Sequence, residues 1–191
     1  LFAELAGLGV VGLAQSEDIG GQGGGLADLV AVAEELGAAL ASAPIHATAV
    51  ALAALEAAGT PAAASAVGRL VDGPSPATIA LSEGGSWGAD PETVMSGDAV
   101  SGTKMFVVDA DVAALFVVSA STAEGRVVLV VVDAEASGVQ VRPHESLDLT
   151  RRVSTVTFDA APAVVVSDDA GEAIARALDV AAVLLGAEQV G

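Results

Sequence analysis

Residues 72–92 read "DGPSPATIALSEGGSWGADPE", and the reading of this stretch decides the architecture. Ahead of it, Ala-rich segments repeat their apolar residues at helical spacing. From Ala77 onward Val dominates, alternation appears and turn signals recur at short intervals. The stretch is thus a boundary between helical and strand-forming sequence. It also gathers rare residue types. The apolar run Ile79-Ala80-Leu81 ends in a hydroxyl and an acid, Ser82-Glu83, and the Gly-rich loop beyond carries Trp87, the single Trp of the chain. A plain turn needs Gly or Asp, but neither a strand-end hydroxyl nor a Trp. The junction is therefore also a candidate site.

Working back from it, "PAAASAVGRLVDG" is expected to be a helix opened by Thr60 as N-cap with Pro61 at its first position. "IHATAVALAALEAAG" is a helix closed by Gly59, and "LADLVAVAEELGAALA" one that Pro44 stops. "LFAELAGLGVVGL" spaces its apolar residues as a further helix. Residues 36–55 contain no Asp, Glu, Lys or Arg and are long enough to span a bilayer, yet they are mostly Ala with Ser42, Pro44 and His46 in the middle. Two buried helices of a soluble domain are the better reading, and no membrane span is expected.

Working forward, "ATIALSE", "SGTKMFVV", "AALFVVSAS", "RVVLVVVD", "GVQVRP", "RVSTVTFD" and "AVVVS" read as strands with no helix between them. That pattern predicts a compact antiparallel barrel or sandwich. "SDDAGEAIARALDVAAVLLGAEQVG" returns to helix, with Ser167 as N-cap and Asp168, Asp169 and Glu172 in its first turn. An apolar face of Ile174, Leu178, Ala181, Val183 and Leu185 has nothing evident to cover it, so a further helical domain is expected beyond it.

Composition narrows the function. Apolar residues make up 53% and aromatics 3%, so the core is built from Ala, Val and Leu. Seven basic against 25 acidic residues give a formal charge of −18. No basic cluster is available to displace counterions from phosphates, which excludes nucleic-acid binding. The chain has no Cys, which removes disulfides, thiolate metal sites and Cys nucleophiles and fits a reducing cytoplasm. "LFAELAG" lacks the basic segment of a signal peptide and reads as a cut through a longer chain.

Other motifs fail on spacing. The glycines at 20–25 do not form a dinucleotide fingerprint, because the sixth position counted from Gly21 is Leu26 and no βαβ unit follows. His46 and His144 are far apart without partners, and the Asp109/Asp111 and Asp168/Asp169 pairs are too few for a cation site, so no metal is expected. No Ser-His-Asp order and no G-x-S-x-G elbow is present.

Four segments, in order, resemble the acyl-CoA dehydrogenase family of flavoenzymes. "GLGVVGLAQSEDIGGQGGGLADLVAVAEELG" is similar to its first-domain helix–Gly-Gly–helix segment, and "IALSE" resembles its "ALTE" strand end, with Ser82 in place of Thr. "SGTKMFVV" resembles "NGTKxWIT" through Gly102, Thr103 and Lys104, and "LDLTRRVSTVTFDAAPA" is similar to the strand leading into the last domain. The resemblance implies an α+β multidomain fold: a helical N-terminal domain (1–73), a middle antiparallel β-barrel (74–166) and the first helix of a C-terminal helical bundle (167–191). It implies FAD as cofactor, an acyl-CoA thioester as substrate, a homo- or hetero-oligomer, and an electron-acceptor flavoprotein as a possible partner.

By position, Leu81 and Ser82 would contact the flavin ring, Phe106 stands where a Trp usually covers the isoalloxazine, and Val108 replaces a Thr. Ser86 and Trp87 would lie near the acyl chain. The residues alone also allow Phe106 and Val108 to be ordinary strand-core positions. The family's catalytic base lies in its last domain, so no residue here is named as catalytic. Three departures (the loop that has lost its Pro and gained Trp87, Phe106-Val107-Val108 in place of "WIT", and a catalytic Glu that lies in the last domain) leave two functions open. One is a working dehydrogenase with a divergent acyl group; the other is the non-catalytic subunit of a hetero-oligomeric dehydrogenase. The chain by itself is expected to be inactive.

Overall fold

The structure, a computed structural model, describes residues 1–73, 75–84 and 90–191. Helices α1 (Phe2–Gly7), α2 (Leu26–Ala38), α3 (Ile45–Ala58) and α4 (Pro61–Val71) precede strands β1 (Ala77–Ala80), β2 (Val94–Ser96), β3 (Ala99–Val108), β4 (Leu115–Ser121), β5 (Val127–Asp133), β6 (Val139–Pro143), β7 (Val153–Pro162) and β8 (Val164–Ser167). Helix α5 (Gly171–Val190) ends the chain. The α+β architecture expected from the sequence is the one found.

α3 is the hub. Ala47 through Leu55 are all buried, and small Ala side chains let α5 and the sheet approach it closely. The Thr48 hydroxyl donates to the Pro44 carbonyl at 2.6 Å and accepts from the Ala77 amide at 3.1 Å, which pins the start of α3 to the start of β1. Gly59 ends the helix in the left-handed region at φ 62°. Thr60 then opens α4, its hydroxyl accepting from the Ala63 amide at 3.1 Å and donating to the Val166 carbonyl at 2.7 Å.

The sheet runs β6-β7-β3-β2-β4-β5-β8, with β1 added beside β4. β4 and β5 are mostly apolar and buried because both faces are covered. Leu115, Val117, Leu129 and Val131 meet the helices, while Phe116, Val118, Val130 and Val132 turn into a second core within the curled sheet. There Phe116 and Phe158 meet edge to face, with ring centroids 6.0 Å apart.

Several expected details differ. The sheet is not closed into a barrel: β6 and β8 are its two ends. Nor is it wholly antiparallel, since β1 and β2 both run parallel to β4. Parallel strands need a crossover, and here the β2–β3 hairpin supplies one without a helix. The first helix stops at Gly7, with glycines at 9 and 12 in the turns that follow. Ser167 ends β8 and donates to the Asp169 carbonyl at 2.8 Å, so α5 starts later, after Ala170. α5 is also not bare. Ile174, Ala177, Val180, Leu184 and Ala187 are buried against α2 and α3, a face rotated from the expected one, and Leu178, Val183 and Leu185 stay partly exposed. Among the described residues no helix is long and apolar enough to cross a membrane.

Candidate functional site

The end of β1 and the middle of β3 are bound together. The Met105 amide donates to the Ser82 carbonyl at 2.8 Å, so the two segments lie side by side. Between Lys104 and Val107 the pairing of β3 with β7 shifts register, and Phe106 adopts φ 56°, a region that bulky side chains rarely enter. The bulge leaves Phe106 53% exposed, its ring meeting that of His144 edge to face with centroids 5.8 Å apart. Two residues on, the Val108 carbonyl accepts from the Thr78 hydroxyl at 2.7 Å, fastening β3 back onto β1.

A half-enclosed cavity of about 180 Å³ opens where these segments meet α3 and α5. Leu81, Ser82, Phe106 and Val108 all line it, so four positions singled out in the sequence share one wall. His46 of α3 and Leu178 of α5 stand on other sides of it. Ser86 and Trp87 lie outside the described residues. An aromatic ring bared by a bulge, a strand-end hydroxyl and apolar neighbours suit a flat, largely apolar ring system with polar edges, which is what an isoalloxazine is.

Directly behind the wall sits Lys104, fully buried. Its ammonium is paired with Glu83 and donates to the Ser119 hydroxyl at 3.0 Å and the Leu81 carbonyl at 3.4 Å. Glu83 also accepts from the amides of Glu92 and Thr93. Burial pulls the Lys104 ammonium below the usual lysine range, against the pull of Glu83. For Glu83 burial acts to raise the carboxyl, but hydrogen bonds from Lys104, Thr93 and Glu92 outweigh it and hold it low. The pair fixes the carbonyl end of Leu81 and therefore the wall. Sequence reasoning used Lys104 only as a motif match and missed the pair. The available signal was that the chain has one Lys, set at an inward position of an apolar strand.

In the sequence His46 has no partner. Its Nε2 lies 3.2 Å from the Ala181 carbonyl of α5, so the ring bridges two helices beside the cavity. Burial lowers its pKa, and the positive charge of Arg151 adds to this, while the bond to Ala181 opposes it. Further off, Asp109 (φ 54°) faces Arg152 at 3.4 Å, and burial raises its carboxyl despite that partner. It holds the strand end and does not reach the cavity. Among the described residues no group of three or more His, Asp or Glu could hold a metal ion.

Residues 1–69 match the family model "Acyl-CoA dehydrogenase, N-terminal domain". Over all 191 residues the chain is 34% identical to the acyl-CoA dehydrogenase FadE34 of Mycobacterium tuberculosis (strain ATCC 25618 / H37Rv). This chain belongs to the acyl-CoA dehydrogenase family. It spans 24% of the length of that relative. Among solved structures, the Tcur3481-Tcur3483 steroid ACAD G363A variant is similar, with 36% identity, a TM-score of 0.84, and coverage of 98% of this chain and 52% of that one. The ChsE4-ChsE5 complex from Mycobacterium tuberculosis shares 29% identity at a TM-score of 0.73, over 96% and 49% of the two chains. An acyl-CoA dehydrogenase complexed with FAD from Bacillus anthracis shares the fold, at 20% identity and a TM-score of 0.78, over 98% and 35%. Within the acyl-CoA dehydrogenase family, then, the cavity wall is the feature whose chemistry remains to be read.

Proposed function

We propose that this chain supplies one wall of an FAD site in a protein that dehydrogenates the α,β bond of an acyl-CoA thioester. The observation that carries the reading is the Met105–Ser82 pairing, because it sets Leu81, Ser82, Phe106 and Val108 on one cavity. FAD, when bound, would accept the hydride that leaves the β-carbon. The chain's own residues bind and orient. The exposed ring of Phe106 offers a face to the isoalloxazine, Leu81 and Ser82 meet its edge, and Val108 contacts it without the hydroxyl that Thr would supply. Ser86 and Trp87 are proposed to flank the acyl group. The base that takes the α-proton is assigned outside this chain.

In the same reading 1–73 is the helical domain, 74–166 the middle sheet domain, and 167–191 the first helix of a C-terminal helical domain. Cys-free composition supports a cytoplasmic setting, and a flavoprotein is the proposed electron acceptor. The intact natural protein, purified with FAD, should show flavin absorbance bands. Val108→Thr should shift the flavin reduction potential through one added hydrogen bond, worth about 1 kcal/mol. A protein that stays colourless with FAD, alone and with any co-purifying subunit, would overturn the reading.

A second reading has its own support. A related structure at 29% identity is a complex of two named chains, ChsE4 and ChsE5. This chain would then belong to the non-catalytic subunit of a hetero-oligomer. Flavin bands that appear only after a partner subunit is added would select it.

A further inference from the structure

Phe106 is displayed where a strand would ordinarily hide it. The register shift between Lys104 and Val107 takes it out of the ladder, and its φ of 56° costs any residue with a Cβ some strain. A half-exposed ring at such a position occupies more than one rotamer unless a neighbour limits the choice. Among the described residues one other ring is paired with it, the imidazole of His144, with 5.8 Å between centroids and 78° between planes. His144 does not itself line the cavity.

His144 is held at two points. Its amide donates to the Val153 carbonyl at 2.8 Å, and Nε2 lies 2.7 Å from the hydroxyl oxygen of Thr155, a buried residue. Both anchors belong to β7, and β7 also pairs with β3 just past the bulge, Val107 with Ser154 and Val108 with Val153. One strand thus carries both the bulged residue and the ring that meets it. An aliphatic side chain at 144 would cover Phe106 without favouring one interplanar angle. We propose that His144 is a positioning residue: Thr155 fixes the imidazole, and the imidazole fixes the ring of Phe106 in the orientation it presents to the cavity. On the flavin reading, that orientation sets Phe106 against the isoalloxazine, so His144 governs how tightly FAD is held and acts through Phe106 alone. The consequence for FAD rests on the function proposed above; the ordering of Phe106 does not.

The test is a double-variant cycle in the intact natural protein, read as the dissociation constant of FAD. His144→Gln keeps a hydrogen-bond partner for Thr155 and removes the ring, so it should fold and bind FAD roughly two- to twelvefold more weakly, the span of one edge-to-face aromatic contact. His144→Leu carries the same expectation. His144→Phe, which restores a ring, should bind FAD more tightly than either. In a Phe106→Leu background the same changes should make no further difference, because the ring they act through is gone. A Gln variant with the parent's affinity overturns the proposal. So does a Phe variant no better than the Gln variant, or an effect of equal size in the Phe106→Leu background.

The ordering of Phe106 is read without flavin. para-Fluorophenylalanine at the four Phe positions gives four fluorine resonances, and Phe106→Leu identifies one of them. That resonance should move in His144→Gln and return towards its parent position in His144→Phe; one that stays in place in His144→Gln overturns the proposal. A protein in which it moves but which never takes up FAD loses the flavin assignment alone. A yellow protein in which it does not move loses this inference alone.

Discussion

Lys104 has no exposed surface, and removing its partner or its charge strands the other member. Lys104→Met should therefore cost about 3–5 kcal/mol, the usual result of leaving a carboxylate buried alone. Adding Glu83→Gln to Lys104→Met should recover a large part of that loss, and denaturant midpoints of the single and double variants check both. Gly102 is a backbone constraint of another kind. At φ 154° a Cβ would sit 2.3 Å from the Thr93 hydroxyl oxygen and 2.7 Å from its Cα. Gly102→Ala should destabilise by about 1–3 kcal/mol through overpacking, read from the same midpoints.

His46 gives a pH signature. Its folded pKa lies below the ordinary 6.5, so between the two values the unfolded chain binds more protons. Stability should fall as pH drops below 6.5, and the fall should shrink in His46→Gln. Glu83, held low when folded, contributes stability above its ordinary value of 4.5, and this is lost as pH falls further. Asp109, raised when folded, acts in the opposite sense, so the histidine's share is the part of the pH dependence that His46→Gln removes.

At the scale of elements, Thr60 joins the start of α4 to β8 through two hydrogen bonds. Thr60→Ala should cost about 1–2 kcal/mol, more than an isolated cap at an exposed end, and a thermal melt would show it. Much of this level was legible in the sequence. Caps and Pro at Thr60-Pro61, the Gly59 stop and the short Val-rich apolar runs between turn signals are local signals, and each fixed an element. β2 is three residues long and left no pattern to read. The direction of β1 relative to β4 was beyond reach, because pairing across the sheet is set by which strand edges remain free, not by the strand's own residues. The site followed the same division. Leu81 and Ser82 follow the end of β1 and Phe106 sits at the β3 bulge; the family resemblance singled them out together with Val108, and the Met105–Ser82 pairing is what sets them on one cavity. His46 and Glu83 gained their places through contacts with α5 and β3, which no local spacing encodes.

For the molecule as a whole, charge is the dominant imbalance. A formal −18 over 191 residues opposes compaction through self-repulsion that salt screens. The melting temperature should rise with moderate sodium chloride, and a flat or falling dependence would contradict this. The paired arrangement of α3 over β1 and β4 bears on how the molecule comes into being. β1 is made early, but its parallel neighbour arrives only after β2 and β3 have left the ribosome. Until Ser121 emerges, the nascent chain carries an Ala-rich helix with no floor beneath it and a strand with a bare edge. Throughout the interval between Ala80 and Ser121 that edge has no partner to close it.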